Sequence, residues 1–392
     1  MIGGPVAGEL REEPGVLPPG KRVLPLPEAV TLDPMSPDGV PIERVVPGRW
    51  TDSAAEVPGT PTLADVARAA GVSTATASRV LNGFARVRPE TRQQVEAAML
   101  TLGYGRRRAG ALKNLRRTGS IALVVCEEMP RLFTDPYVER VAAGVNRELA
   151  AGGPQLVLLT VPATGNGRVS ALRYLGEGHV DGALVVGMHA KRSLEPARLS
   201  LPVVFCGRPP VREDAGRYSY VDADNRGGAE RAVRHLITAG RSSIATVAGP
   251  QDMAAGADRL LGYQHVTYEA GCFDHRLVVL GDFGLASAEH AAARLLERRP
   301  DVDAIFAASD LMAVGVLRAV RRAGRRVPDD VAVIGFDDLP IGRRTDPPLT
   351  TVRQPIEEMG ARMTRELLAL ITGPDTPRHT VFDTELVVRE ST

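Results

Sequence analysis

From Gly119 onward, short runs of apolar residues alternate with longer stretches of helical periodicity. The apolar runs are IALVVC (121–126), QLVLLTV (155–161), GALVVG (182–187), LPVVFCG (201–207), SIATVAG (243–249), AIFAAS (304–309) and VAVIGF (331–336). The helical stretches are 137–151, 224–240, 286–298 and 310–324. Continuous apolar strands between helices indicate parallel sheets covered on both faces. Since about 270 residues is long for one open sheet, the pattern predicts an α/β domain of two lobes.

Residues 62–104 carry the periodicity of three short helices. The first ends at Gly71, the second begins after Ser73, which is placed to cap it, and Pro89 opens the third. Because only Gly71-Val72 joins the first two, they form a helix-turn-helix. The residues predicted to face inward are Leu63, Val66, Ala67 and Ala70, then Ala77, Val80 and Leu81, then Val95, Ala98, Met99 and Leu102.

The second helix lies in GVSTATASRVLNG (71–83), whose outward side carries small side chains, hydroxyls and one arginine. A helix that enters the major groove needs such a thin outer face. Arg79 is able to bond a guanine edge through two hydrogen bonds, worth about 1–3 kcal/mol of discrimination. The hydroxyls suited to phosphates are those of Ser73, Thr76 and Ser78. The alternative interpretation is a small-residue helix packed tightly on a neighbour.

Positive charge is concentrated around this helix-turn-helix. Residues 60–118 carry 11 basic and 3 acidic residues, a net charge of +8. Residues 1–59 carry a net charge of −4 and the remainder a net charge of −3. A polyanion is therefore the expected partner of the basic block, and the alternative is a solvated basic linker.

The sequence also argues against several other classes of protein. Cys126, Cys206 and Cys272 are too far apart for a disulfide framework or a metal cluster, and they fit a reducing cytosol. We find no secretory signal and no run of about 18 apolar residues that would span a membrane. Phosphate-loop, dinucleotide, zinc-protease and serine-hydrolase motifs are absent. We therefore predict a cytoplasmic protein that is not an enzyme and uses no cofactor or metal.

The first 61 residues differ from the rest in composition. They hold 12 of the 30 prolines and show little periodicity. This composition predicts a disordered, proline-rich extension over 1–60. A second interpretation is that translation starts further along the chain.

Two runs of the basic block, TLADVARAAGVSTATASRVLNG and RPETRQQVEAAMLTLGY, resemble the DNA-binding headpiece of the lactose-repressor (LacI/GalR) family. The resemblance continues in VDADNRGGAERAVRHLITAGRSSIATVAGP, DRLLGY, GDF, FAASDLMAVGVLRAVRRAGRRVPDDVAVIGFDDLP and PPLTTVRQPIEEMG. It implies a headpiece, a hinge and a two-lobed effector-binding and dimerisation domain like type I periplasmic binding proteins. The implied bounds are 61–104 for the headpiece, 105–118 for the hinge, and 119–392 for the sensor, with lobes of 119–219 plus 353–375 and 220–352 plus 376–392.

The resemblance also implies how the chain meets DNA. A homodimer, or a dimer of dimers, places two recognition helices on a near-palindromic double-stranded operator. In the family a hinge leucine wedges into the minor groove, and Leu112 matches it, although Arg106-Arg107 and Gly110 depart from the usual hinge pattern. The implied base-reading residues are Thr74, Ala75 and Arg79, and the implied backbone-facing residues are Ser73, Thr76, Ser78 and Asn82.

For the sensor, the resemblance implies an effector cleft lined by residues of several motifs. Arg259 in DRLLGY and Asp337 in GFDD match positions that bind sugar hydroxyls, and Phe283 in GDF matches an aromatic that stacks on a sugar ring. Guanidinium and carboxylate groups suit paired hydroxyls because each makes two hydrogen bonds at once. The other implied cleft residues are Asp135, Tyr137, Gln354 and Ser309, the last standing where the family usually has asparagine.

These features predict a repressor of carbohydrate-utilisation genes, working on DNA at the nucleoid and released from its operator by a sugar. One alternative keeps the same headpiece and senses a purine or a protein co-repressor. A second alternative is a solute-binding protein without a regulatory role, which would have no use for residues 62–118.

Overall fold

The computed structural model describes most of the chain from Leu63 onward and one short strand before it. The described residues are 42–45, 63–81, 87–102, 117–127, 129–150, 152–161, 167–190, 201–209, 217–374 and 376–392. Three helices open this part of the chain: α1 (Leu63–Ala69), α2 (Thr74–Leu81) and α3 (Pro89–Leu102). The predicted helix-turn-helix order is confirmed.

α1, α2 and α3 pack around a small apolar core. Its six buried side chains all belong to the set that periodicity predicted as inward-facing: Val66, Ala67, Ala77, Val80, Val95 and Ala98. The side chains of Leu81, Met99 and Leu102, predicted to join them, lie outside the described part of the structure. Gly71 ends α1 at φ +66°, a backbone conformation that glycine adopts without strain, so α2 follows directly.

The first lobe is built on a seven-stranded sheet in which all neighbouring strands are parallel. The strands are β1 (Ile42–Val45), β2 (Ser120–Val125), β3 (Gln155–Thr160), β4 (Ala183–Val186), β5 (Val203–Cys206), β6 (Ser219–Ala223) and β12 (His379–Phe382). Their spatial order is β1-β12-β6-β5-β4-β2-β3. Because parallel strands need crossover connections, the chain passes over the faces of this sheet between strands.

The second lobe has a six-stranded sheet of the same kind. Its strands are β7 (Ile244–Ala248), β8 (Val278–Leu280), β9 (Ala304–Ala307), β10 (Ala332–Asp337), β11 (Thr350–Arg353) and β13 (Glu385–Val387). The spatial order is β13-β11-β10-β9-β7-β8, and all pairs are parallel except that of β11 with β13. The predicted α/β architecture of two parallel-sheet lobes is confirmed.

Helices cover the faces of both sheets. They are α4 (Met129–Leu132), α5 (Pro136–Leu149), α6 (Gly167–Gly176), α7 (Asn225–Thr238), α8 (Ala254–Glu269), α9 (Leu285–Arg298), α10 (Asp310–Arg322) and α11 (Ile356–Thr372). Three helix pairs pack closely: α5 with α11, α7 with α8, and α9 with α10. α5 and α11 cross closely at two glycines, Gly144 and Gly360. A methyl group on Gly144 would lie 2.0 Å from the carbonyl oxygen of Glu357, and one on Gly360 would lie 2.4 Å from that of Val141. In the part of the chain that the structure describes, none of the helices combines the length and the apolar character of a membrane span.

The predicted lobe boundaries are wrong at two strands. β6 runs past position 219, and β12 falls within 376–392, yet the two strands pair with each other in the first sheet. Neither is a continuous apolar run, because β6 contains Ser219 and Asp222 and β12 begins at His379. His379 instead stacks on Tyr220 with ring centroids 4.2 Å apart. The chain therefore passes from the first lobe to the second after Ala223. It comes back to the first lobe for β12 and passes to the second lobe again after Phe382.

The predicted disorder of 1–60 is wrong for one segment. Ile42–Val45 forms β1, which pairs in parallel with β12 at the edge of the first sheet. The segment IERV places two charged residues between two β-branched ones, and charged residues are common on edge strands. Its hydrogen-bonding partner lies more than 300 residues away, so nothing in the surrounding proline-rich sequence indicated the pairing.

Candidate DNA-binding helix and effector cleft

α2 begins with a hydroxyl cap. Ser73 Oγ accepts a hydrogen bond of 3.2 Å from the backbone N–H of Thr76, as its predicted capping position requires. The same Oγ lies 2.9 Å from Thr76 Oγ1, and either hydroxyl donates to the other. This pairing uses one of the two hydroxyl protons, so the other stays available for a phosphate oxygen.

The outer side of α2 has the thin profile that groove entry requires. Thr74, Ala75 and Arg79 are exposed, while Ser78 and Thr76 are partly buried beside the core. The exposure of Thr74, Ala75 and Arg79 agrees with the predicted outward side, whereas Ser78, predicted to face outward with them, is half-buried. Two further residues predicted to meet DNA, Asn82 and Leu112, lie outside the described residues.

The second candidate site is a cavity of about 800 Å³, including its open mouth, between the carboxyl ends of the two sheets. This is where ligands bind in open parallel-sheet folds. Both lobes contribute to the lining. All seven residues predicted for effector binding border this one cavity: Asp135, Tyr137, Arg259, Phe283, Ser309, Asp337 and Gln354.

Arg259, on α8, is buried, with only 5% of it exposed. Its guanidinium contacts three protein groups. Its Nε donates a 2.8 Å hydrogen bond to Asn225 Oδ1, and its Nη1 donates to the carbonyl oxygen of Ala308. Nη1 also lies 3.2 Å from Asp337 Oδ1. Among the described residues, none accepts a hydrogen bond from Nη2, so this end of the guanidinium is available to a ligand.

Asp337 is the last residue of β10 and has a φ of +116°. Its Oδ1 accepts a 2.6 Å hydrogen bond from Gln354 Nε2 and faces Arg259. Burial raises the pKa of Asp337 to about 6, while the Arg259 guanidinium acts in the opposite direction. No described residue donates to Oδ2. The pair thus offers the cavity one donor group, Nη2, and one acceptor, Oδ2.

Two aromatic rings flank the guanidinium. Arg259 Cζ lies 3.7 Å from the centroid of the Phe336 ring and 5.7 Å from that of Phe283. Such contacts stabilise a cation and fix its plane. Phe283 has φ +66°, and its ring lies so close to Gly249 that a methyl group there would come within 2.5 Å of the ring.

Gly249→Ala is expected to displace the Phe283 ring and weaken effector binding roughly ten-fold, because an aromatic stack contributes about 0.5–1.5 kcal/mol. Titration calorimetry with the effector measures the change. The matched control is Gly281→Ala, also beside β8, where the added methyl group would meet the side chain of Met312 and not the Phe283 ring. This variant should lose less affinity. Equal losses in the two variants would contradict a role for the Phe283 ring.

The remaining predicted cleft residues each make a structural contact as well. Asp135 caps α5 by accepting the N–H of Tyr137 at 3.0 Å, and Ser309 caps α10 by accepting the N–H of Met312 at 3.2 Å. The hydroxyl of Tyr137 lies 3.4 Å from Cys206 Sγ. Burial raises the pKa of Tyr137 well above its usual 10, so this hydroxyl keeps its proton and remains a donor.

Sequence reasoning missed several residues that border the cavity: Glu127, Arg131, Cys206, Asp222 and Asn225. Glu127 lies two residues after the end of β2, so its place directly after the apolar run IALVVC was a usable signal. Asp222 and Asn225 lie at the end of β6, a strand that was not predicted because its residues are partly polar.

Ion pairs and hydrogen bonds connect the lobes across the cleft. Arg208, after β5, makes two hydrogen bonds of 2.7 and 2.8 Å to the carboxylate of Asp258 on α8. His189 Nδ1, after β4, lies 2.9 Å from Asp252 Oδ1. These contacts join the lobes, so an opening of the cleft would have to break them.

A helix-turn-helix followed by a two-lobed domain with a ligand-sized cleft defines a DNA-binding regulator that responds to a small molecule. Residues 62–106 match the family model "Bacterial regulatory proteins, lacI family", and residues 233–392 match "Periplasmic binding protein-like domain". The chain belongs to the LacI family and is a transcriptional regulator.

Curated relatives match along nearly their whole length. The chain is 46% identical over 340 residues to the HTH-type transcriptional regulator CelR of Thermobifida fusca, covering 84% of this chain and 98% of that protein. It is 33% identical over 333 residues to the ribose operon repressor of Halalkalibacterium halodurans (strain C-125), covering 84% and 97%. Both relatives are named as regulators, not as enzymes.

Solved structures of transcriptional regulators also match most of this chain. The complex of the transcriptional regulator CelR with cellobiose is 44% identical, has a TM-score of 0.68, and is matched over 85% of this chain and 100% of that one. The lac repressor dimer bound to operator and the anti-inducer ONPF is 27% identical, with a TM-score of 0.62 over 85% and 99%. Within the described residues of this chain, no three His, Cys, Asp or Glu side chains are grouped to hold a metal ion.

Proposed function

We propose that this protein represses carbohydrate-utilisation genes and that a disaccharide of β-linked glucose releases it from its operator. The observation that carries the proposal is the Arg259–Asp337 pair, which presents Nη2 and Oδ2 to one cavity. A donor and an acceptor side by side match two neighbouring ring hydroxyls, one accepting and the other donating. The Phe283 ring next to them suits the apolar face of a sugar.

The similarity to CelR supports the choice of sugar. A protein 44% identical to this chain has been solved as a complex with cellobiose. The cavity is also bordered by the charged side chains of Glu127 and Arg131, which would hydrogen-bond the hydroxyls of a second ring.

On the DNA side, we propose that α2 enters the major groove, with Arg79 bonding to a base edge and the hydroxyls of Ser73 and Thr76 bonding to phosphates. Two copies of the chain would bind the two halves of a near-palindromic operator in the cytoplasm. The similarity to a repressor solved as a dimer on its operator supports this arrangement. No covalent chemistry is needed, since binding alone carries the regulation.

Release of DNA by a sugar requires that the sugar bind one lobe arrangement better than the other. The sugar would contact Arg259 and Asp337 in the second lobe and Tyr137 in the first. It therefore favours the arrangement that brings these side chains together. By linkage, the sugar lowers operator affinity by the same factor by which operator DNA lowers sugar affinity.

Titration calorimetry on the full chain tests the effector assignment. The ligands are cellobiose, maltose, ribose, guanine and hypoxanthine, each in the same buffer. Cellobiose is expected to bind at least ten-fold more tightly than maltose, which has the same two rings joined by an α-linkage. Tighter binding of a purine, or no preference between the two disaccharides, would contradict the proposal.

Sugar binding should weaken in acid because of Asp337. Its pKa of about 6 means that the carboxylate gains a proton as the pH falls through 6, which removes its charge opposite Arg259. If only the ionised form binds well, affinity falls by about ten-fold between pH 7.5 and pH 5. Calorimetry at both pH values measures this. The Asp337→Asn variant should bind weakly at both, and an unchanged pH dependence in that variant would assign the effect to another group.

A further inference from the structure

Asn225, the first residue of α7, lies between an acidic side chain and the arginine of the cleft. Its Oδ1 accepts the 2.8 Å hydrogen bond from Arg259 Nε. Its Nδ2 donates to Asp222 Oδ1 at 2.9 Å and to the carbonyl oxygen of Ala223 at 3.0 Å. Asn225 is only 3% exposed, so water does not compete strongly for these hydrogen bonds.

The partners of Asn225 determine which way its amide group points. Asp222 Oδ1 and the carbonyl of Ala223 only accept hydrogen bonds, whereas Arg259 Nε–H only donates. A flipped amide would set Nδ2 against Nε–H and its oxygen against two other oxygens. The carboxylate of Asp222 therefore keeps the Asn225 oxygen directed at Arg259.

Asp222 itself is firmly held. It is 6% exposed, and its two oxygens accept the backbone N–H of Arg208 at 2.9 Å and that of Ala223 at 2.8 Å. Its strand, β6, belongs to the first lobe, whereas α7, which begins at Asn225, packs on the second sheet. The hydrogen bond between Asp222 and Asn225 thus spans the point where the chain crosses between lobes.

The hydrogen bond from Nε fixes one edge of the planar Arg259 guanidinium, and the bond from Nη1 to Ala308 fixes the next. With both edges fixed, Nη2 has one direction left, toward the cavity. We propose that Asp222 and Asn225, which border the cavity, are positioning residues for effector recognition and act by orienting Arg259. This inference rests on the proposed function, in which Arg259 binds a sugar hydroxyl.

Three variants test the proposal by calorimetry with cellobiose. Asn225→Ala removes the acceptor for Nε, and Asn225→Asp places a second carboxylate against Asp222. Each is expected to weaken binding about ten- to hundred-fold, the usual effect of losing a hydrogen bond to a charged group. The double variant Asp222→Asn/Asn225→Asp restores a donor facing an acceptor between the two side chains, but it sets Nδ2 against the N–H of Ala223 and a carboxylate oxygen against the carbonyl of Ala223. It should therefore recover part of the affinity lost in Asn225→Asp. A purely structural role would leave the double variant as weak as the singles or weaker.

Thr364→Val is the matched control, because its buried hydroxyl donates to Gly360 within the first lobe, in a contact that does not involve Arg259. It should lower the melting temperature without changing sugar affinity. Wild-type affinity in Asn225→Ala, or equal losses in Asn225→Ala and the control, would overturn the proposal.

A second measurement needs no sugar. The Nε–H of Arg259 should give a slowly exchanging nitrogen–proton NMR signal in the full chain, assigned by its loss in Arg259→Lys. Asn225→Ala should broaden or remove this signal. A signal that persists with unchanged exchange would overturn the positioning role, whereas a wild-type protein that shows the signal and binds no sugar would contradict only the proposed function.

Discussion

Arg259→Lys is expected to weaken sugar binding about 100-fold and to leave operator affinity without sugar unchanged. Lysine keeps a positive charge near Asp337, so no buried carboxylate is left without a partner. Lysine lacks the planar fork, however, and one ammonium group cannot reach Asn225, Ala308 and a sugar hydroxyl together. Losing hydrogen bonds to a charged group costs about 1.5–3 kcal/mol. Calorimetry gives the affinity, and fluorescence anisotropy with labelled operator gives the release of DNA.

The matched control is Arg226→Lys on α7. Arg226 is exposed and pairs with Glu230 on the same helix, so this change should leave sugar binding and DNA release as they are. If the Arg259→Lys variant still released operator at the sugar concentrations that release the wild-type protein, the effector would bind elsewhere.

Arg79→Ala is expected to reduce the preference for operator over random duplex by about 10- to 100-fold, the effect of losing one bidentate base contact of about 1–3 kcal/mol. Arg79 is exposed on the outer side of α2, where a base edge would lie. Binding to random DNA should change little, because the block of residues 60–118 keeps a net charge of +7 out of +8. A competition assay at fixed salt concentration measures the preference.

Arg68→Ala on α1 removes the same charge from the same domain and serves as the control. Arg68 is exposed and pairs with Asp65 on the same helix. It should weaken binding to operator and to random DNA alike and keep the preference between them. If both variants lost preference equally, Arg79 would act through charge alone.

Periodicity and motifs were sufficient to predict the α/β lobes, the helix-turn-helix and seven residues that border the cleft. Periodicity succeeded because apolar runs mark buried parallel strands, whereas all seven cleft residues were expected from the family resemblance alone. Arg259 is on a helix and was identified only through its motif. Periodicity would have placed an arginine there on the surface, whereas it is 5% exposed.

The residues that the sequence did not predict depend on contacts between distant segments. β6 and β12 carry polar residues and are stabilised by pairing with each other about 160 positions apart. Asn225 lies 34 positions before Arg259, and nothing in VDADN indicates that its amide group would face a guanidinium. Such partners become apparent only when the fold brings these distant segments of the chain together.

The central claim is that a sugar in the cleft controls the fit of α2 to DNA. Fluorescence anisotropy of a labelled duplex from upstream of the gene for this chain, titrated with protein in the presence and absence of saturating cellobiose, tests it most directly. We expect tight binding without the sugar and at least ten-fold weaker binding with it, while maltose has little effect. Equal affinity with and without cellobiose, in a protein that calorimetry shows to bind it, would contradict the account.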